Sequence, residues 1–365
     1  MEGFFYKLAT EKDLDFDMNI TWRIWANEHF QTKSLKKCTK KAIQVKSGTK
    51  KQCLEELLKF DILKPNHGFT FIFHFFSQSY QTKIYNECKE TLMDYEVILL
   101  QDFSQNIELT QQDAIKGAHW HSKQITVHPT IAFVKMPGEI TPKKYMIVHL
   151  SDIKVHGASM VHYITTDCIK YLKQKLKIPL GKIYLWSDGC AAQYKGKNSF
   201  FFLSKLCEQN QIVERNFFVS EHGKSESDAA TSEVSRCLRN AIKSRRAYIQ
   251  SSLDAKTFLA SEFNDQEKTN YVFKEINNSD LKPIEDDING FIPKPLDGTV
   301  TRSLHQIKPD VEKGFFLHRR LSCVCISCKE GKFTNCLYKT YTQGNFSRSK
   351  LPSAHCKKAR VITPH

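Results

Sequence analysis

The chain has 365 residues, 41% of them hydrophobic, which suffices for two or three modest domains or for one large core with appendages. Its 54 Lys and Arg stand against 39 Asp and Glu, a net charge of +15, and a field of that sign suits a polyanion, nucleic acid first. No apolar run of membrane-spanning length occurs, and "MEGFFYKLATEKDLDFD" lacks the basic start and apolar stretch of a secretory signal. The expectation is therefore an intracellular or nuclear protein, neither secreted nor in a membrane, whose twelve cysteines are reduced or bound to metal.

Residues 1–95 read as a mostly helical, basic region, with "TKKQCLEELLKFDIL" apolar at helical spacing. Its lysine-rich run holds Lys36, Lys37, Lys40 and Lys41. Such a run is a solvated face, a phosphate-contacting patch or an import signal. No clear helix-turn-helix or complete zinc finger lies in this stretch.

From residue 96 the pattern turns to strands. "EVILLQDF" is a short apolar run, while "QITVHPTIAFV" and "KKYMIVHLSD" alternate across a turn carrying Pro137 and Gly138. The helical spacing of "SMVHYITTDCIKYLKQKL" then leads into "KIYLWSDG", a strand too continuously apolar for a hairpin partner and so expected to pair in parallel. The helix "NSFFFLSKLCEQN", the strand "IVERNFFVS" and the helix "SDAATSEVSRCLRNAIKSRRAYI" follow. The order β-β-β-α-β-α-β-α predicts an α/β fold with a ribonuclease H-like mixed sheet over 96–250. Residues 251–365 read as a C-terminal extension with a cysteine cluster and a basic tail.

In that order Asp102 ends the first strand and Asp188 the fourth, which is expected beside it. A third acid is needed at the start of the last helix, where Glu221, Glu226, Asp228 and Glu233 are available. Asp228 is preferred because the small residues after it let the helix pack close to the sheet; Glu221 and Glu226 stay open. Strand-end carboxylates are hard oxygen ligands of the kind Mg²⁺ or Mn²⁺ takes. Two such ions can stabilise the attacking and leaving oxygens of a phosphoryl displacement. The plainer alternative makes Asp188 and Asp102 turn caps in "SDG" and "DFSQN".

The segments "LLQDFSQNIELTQQDAIKGAHWHSKQITVHP", "LWSDGCAAQYKGK", "FFVSEHGKSESD" and "RRLSCVCISC" resemble a family of largely uncharacterised invertebrate proteins, similar in layout to the DDE/D transposases with ribonuclease H-like cores. The resemblance runs over about residues 95–340. It implies Asp102, Asp188 and Asp228 as ligands of two Mg²⁺ or Mn²⁺ ions, and DNA strand cleavage and transfer as the activity. Gln193 and Lys195 would hold a phosphate just past the active strand, and His222 would lie near the same edge. The glycine-rich stretch that usually follows the acid of this family is replaced here by "SDAATSE". An inactive DNA- or chromatin-binding relic and a ribonuclease of the same fold are the alternatives, since nothing in the residues separates DNA from RNA. A homo-oligomer is compatible with each.

Cys323, Cys325, Cys328 and Cys336 fall within one short segment, and the C-x-x-C pair has the ligand spacing of a structural Zn²⁺ site. His355 or Cys356 could substitute for one of them. His119, His121 and His128 lack the accompanying glutamate of a zinc hydrolase motif, and Cys190 lacks the flanking pattern of a nucleophile elbow.

Overall fold

The computed structural model describes residues 17, 19–31, 37–49, 51–52, 68–104, 106–109, 123–154, 156–175, 177–208, 212–219, 226–263, 270–290, 301, 304–310, 312, 315–332, 335–336 and 347–350. The chain divides into two units, 1–76 and 77–365. Among the described residues no helix is long and apolar enough to cross a membrane.

The first unit contains a hairpin of β1 (Asn19–Gln31) and β2 (Lys37–Thr49), paired antiparallel from Asn19↔Thr49 to Gln31↔Lys37. The expectation that residues 1–95 are mostly helical is corrected over this stretch. Ile20, Trp22, Ile24 and Ala26 alternate with polar or larger residues, a period of two that favours a strand rich in aromatic and branched side chains. Lys37, Lys40 and Lys41 lie on β2, and Lys36 lies outside the described residues.

Helix α1 (Gly68–Glu90) continues into the second unit. There one mixed sheet is built from β3 (Val97–Gln101), β4 (Ile107–Glu108), β5 (Gln124–Val134), β6 (Lys143–Ser151), β7 (Lys182–Ser187), β8 (Ile212–Phe217), β9 (Tyr271–Glu275), β10 (Gln306–Pro309), β11 (Phe315–Arg319) and β12 (Ser347–Lys350). Its order is β12-β11-β10-β8-β7-β3-β5-β6-β9, with the short β4 on β5. Strands β3, β7 and β8 run parallel to one another, whereas β5 is antiparallel to β3 and to β6. The five strands foreseen from the sequence occupy the middle of this sheet. Residues 251–365, read from the sequence as an extension beyond the core, extend it on both sides: β9 pairs with β6 in parallel, and β10 pairs with β8 antiparallel and carries β11 and β12 beyond it.

The unit also holds helices α2 (Ala158–Lys170), α3 (Lys197–Glu208), α4 (Glu226–Lys243), α5 (Ser252–Glu262) and α6 (Asn278–Gly290). Every residue of β3 is buried, and its alternation decides what covers each face. Val97 and Leu99 join a core with Met160, Ile164 and Cys168 of α2 and Phe200, Leu203 and Leu206 of α3. On the opposite face Tyr85 of α1 packs edge-on against Trp186 of β7 and Phe218, with ring centroids 5.2 Å apart in each case. His149 of β6 and Lys274 of β9 both bind Asp167 of α2, at 2.9 and 2.6 Å, which fixes the added edge strand to the helix layer. The two faces thus hold the strand ends of β3 and β7 in a rigid frame.

Candidate functional site

Parallel pairing of β3 with β7 sets Gln101 opposite Ser187, so the next residues, Asp102 and Asp188, leave the sheet at one edge. Both are half-buried. Burial, then the charges of Asp188 and Asp228, push the Asp102 pKa up to about 7. Burial also raises that of Asp188, opposed by the Cys190 amide and the charge of Lys195. The Asp188 Oδ1 accepts the Cys190 N–H at 3.1 Å, so the turn-capping role foreseen for Asp188 is present and uses one of its two oxygens.

The acids near the start of α4 separate by partner. Glu226 accepts from Tyr85 at 3.2 Å and pairs with Lys89 at 2.9 Å. Glu233 accepts from Tyr271 at 2.6 Å. Asp228 is exposed in the first turn of α4 and is the acid of that helix whose charge reaches Asp102. Glu221 and His222 lie outside the described residues. The charges of Asp188 and Asp228 thus both act on Asp102, but the oxygens of the three are not gathered as tightly as the cysteine sulfurs described below.

After Asp188 the chain makes a π-helical turn, Ala191–Lys195, of a kind that recurs at functional sites. Gly196 closes it so tightly that a β-carbon there would stand 2.7 Å from the Ala191 carbonyl oxygen. The turn places Gln193 half-buried and Lys195 only 4% exposed, its ammonium 4.8 Å from the centre of the Phe217 ring. Burial brings the Lys195 pKa down to about 8 against the pull of Asp188. Lys195, expected to hold a phosphate just past the active strand, is a buried cation whose charge acts on Asp188.

A layer of aromatic and imidazole groups, not foreseen from the sequence, backs this edge. Tyr194 is fully buried, its hydroxyl 3.3 Å from His128 Nε2. Phe103 meets His128 edge-on at 4.4 Å and stacks on His156 at 4.6 Å. Burial holds His128 well below its usual pKa, so it is neutral and serves Tyr194 as a hydrogen-bond partner. His119 and His121 lie outside the described residues. The signal available was the tyrosine between Asp188 and Gly196, which a buried turn must pack somewhere.

The second candidate centre is the set Cys323, Cys325, Cys328 and Cys336, all buried, with sulfurs within 4.8 Å of one another. Cys323 and Cys336 sulfurs are 3.6 Å apart, too far for a disulfide. They match the edge of about 3.8 Å that a tetrahedron of Zn–S bonds near 2.3 Å would give. This group can hold a structural metal such as zinc. Arg319 of β11 donates to the Cys323 carbonyl at 2.9 Å and reaches the Cys328 sulfur at 3.5 Å. A hydrogen bond from Cys323, then the Arg319 charge, favours the thiolate of Cys328, with burial opposing. Arg319 also bonds Gln306, which donates to Glu214, itself paired with Lys182 at 2.9 Å. The cluster is thereby tied to β10, β8 and β7. His355 and Cys356 lie outside the described residues.

The model of a family known only as a domain of unknown function, DUF8701, matches residues 81–322, about two thirds of the chain, and the chain belongs to that family. Its matched region begins and ends on residues that bond each other: Gln81 donates to the Ser322 hydroxyl and accepts from the Ser322 amide, each at 2.9 Å. Neither a curated protein nor a solved structure matches.

Proposed function

We propose that this protein is a metal-dependent phosphoryl-transfer enzyme acting on DNA, transposase-like or transposon-derived, with a ribonuclease H-like core. The observation that carries this reading is the delivery of Asp102 and Asp188 by adjacent parallel strands to one edge of the sheet. Support for the core comes from its strand order, third-second-first-fourth-fifth, with only the second strand antiparallel to its neighbours on both sides.

The donor set suits Mg²⁺ or Mn²⁺, which prefer carboxylate oxygens. Repulsion of the Asp102 carboxylate by Asp188 and Asp228 is the kind of strain a divalent cation relieves. When bound, such ions stabilise the attacking and leaving oxygens of an in-line displacement. Asp102 and Asp188 would be their principal holders, with Asp228 completing the set from α4. Lys195 offsets the Asp188 charge from below, and the Tyr194, His128 and Phe103 layer keeps water from the underside of the carboxylates. The net charge of +15 would draw in the phosphate backbone. The cysteine cluster has a structural role.

A catalytically silent DNA-binding relic is the second reading, favoured by the exposure of Asp228. Nicking of labelled duplex DNA in Mg²⁺ or Mn²⁺, with single-stranded RNA alongside, separates the readings. Wild type should cut DNA, and Asp188→Asn or Asp102→Asn should lower the rate by about 10²-fold or more, since each metal contributes several kcal/mol. Cutting that Asp188→Asn leaves intact rejects the mechanism. No cutting in either metal selects the relic, and cutting of RNA alone selects a ribonuclease.

A further inference from the structure

Arg215 is buried where an arginine has no evident counterion. It lies on β8 between Val213 and Phe217, both in the apolar core covered by α2 and α3, and is 5% exposed. Burial lowers its pKa only to about 10, so it carries its charge at neutral pH. Its Nε and Nη1 are buried with no hydrogen-bond partner among the described residues. No carboxylate pairs with it there, and the group it does meet is the Tyr194 ring, whose centre is 5.7 Å away.

The Arg215 side chain lines a small cavity with residues of α2 and α3, roomy enough for one water-sized body. His162 lines the same cavity; its ring is stacked on Phe202 at 4.3 Å, and its Nδ1 is also buried and unpartnered. Thr165 and Ser199 line this space too, and their hydroxyls donate to the Val161 and Gln193 carbonyls. Val161 and Leu203 make the remaining wall apolar.

A buried, unpaired charge is strongly unfavourable. One water would satisfy donors and leave that charge uncompensated. We propose that the unpaired Arg215 guanidinium and His162 Nδ1 form a binding site for a single small monovalent anion, chloride in ordinary solution, in the cavity between α2, α3 and β8. Tetrahedral oxyanions exceed the space. Few donors and apolar walls favour weakly hydrated halides and the small space favours the smaller of them, so chloride should bind at least as well as bromide, and strongly hydrated fluoride poorly. The site is distinct from the carboxylate edge but adjoins it: Arg215 pairs with Leu185, two positions before Ser187, and meets the Tyr194 ring that backs that edge.

The test uses the full chain in halide-free buffer. Crystals transferred to sodium bromide should show one anomalous peak within hydrogen-bonding reach of Arg215 Nε and Nη1. Bromide and chloride titrated at constant ionic strength should raise the melting temperature to a plateau, with fluoride giving a smaller rise. Arg215→Met, of similar length and without charge, should lose both responses. Absence of a peak in the cavity, or a halide response unchanged in Arg215→Met, overturns the proposal. Should Arg215→Met fail to fold, the wild-type bromide crystal decides alone.

Discussion

Asp102 and Asp188 each follow the last residue of a strand, and those last residues, Gln101 and Ser187, are register partners in a parallel pair. Parallel neighbours end on the same side of a sheet, so two positions separated by 86 residues emerge together. Antiparallel pairing would have sent them to opposite edges. The burial of all of β3 and of β7 from Ile183 onward keeps either carboxylate from sliding away, because a slip of one residue would reverse every side chain in the core.

Asp102 gives the first prediction. Its pKa of about 7 in the folded chain lies above the value near 3.9 expected when unfolded. Between about pH 4 and pH 7 the native state keeps a proton that the unfolded state has released, so this site costs stability progressively as pH rises. Asp102→Asn should match wild type below about pH 4 and exceed it by up to about 4 kcal/mol near pH 8. Denaturant unfolding at several pH values checks this, and a pH-independent difference contradicts it.

The cysteine cluster gives the second. Freshly reduced protein should carry about one Zn²⁺ per chain by elemental analysis. Cys328→Ser should lose that metal and melt at lower temperature, because metal-binding free energy at such a site is folding free energy. Full retention of zinc by Cys328→Ser would assign the metal elsewhere.

Gly196 gives the third. A β-carbon 2.7 Å from the Ala191 carbonyl oxygen meets backbone that cannot yield without opening the π-helical turn. Gly196→Ala should therefore destabilise the fold by about 1–3 kcal/mol and weaken protection of the Tyr194 and Lys195 amides, which bond the Cys190 carbonyl at 2.8 and 3.1 Å. Hydrogen exchange reads that opening; unchanged protection would show that the turn does not need glycine.

How much of this was legible beforehand varied with the chemistry of each segment. Strands β5, β6 and β7 announce themselves by alternation or continuous apolar character, and the two aspartates by standing where such runs stop. The β1–β2 hairpin was misread because its lysines interrupt the alternation of β2. Strands β10 and β11, "QIKP" and "FFLHR", carry polar residues inward: Gln306 and Arg319 are buried because Glu214 and the cysteine cluster meet them. No local pattern reports such a partner. Choosing among Glu226, Asp228 and Glu233 likewise required Lys89, Tyr85 and Tyr271, which come from distant parts of the chain.

Net charge gives a fourth prediction. Affinity for duplex DNA should fall linearly in log–log form as salt rises, with a slope of about −0.9 for each phosphate neutralised. Lys37, Lys40 and Lys41, adjacent on β2, are the cations to replace together; their joint change to Gln should make the slope shallower. Binding indifferent to salt contradicts an electrostatic footprint.

The central claim, that Asp102 and Asp188 form a divalent-cation site, is tested most directly by an anomalous difference map from crystals of the full chain soaked in Mn²⁺. A peak about 2.1 Å from an oxygen of each carboxylate, absent in Asp188→Asn, is the predicted result. A map with no peak between Asp102 and Asp188 at saturating Mn²⁺, or a peak that survives Asp188→Asn unchanged, contradicts it.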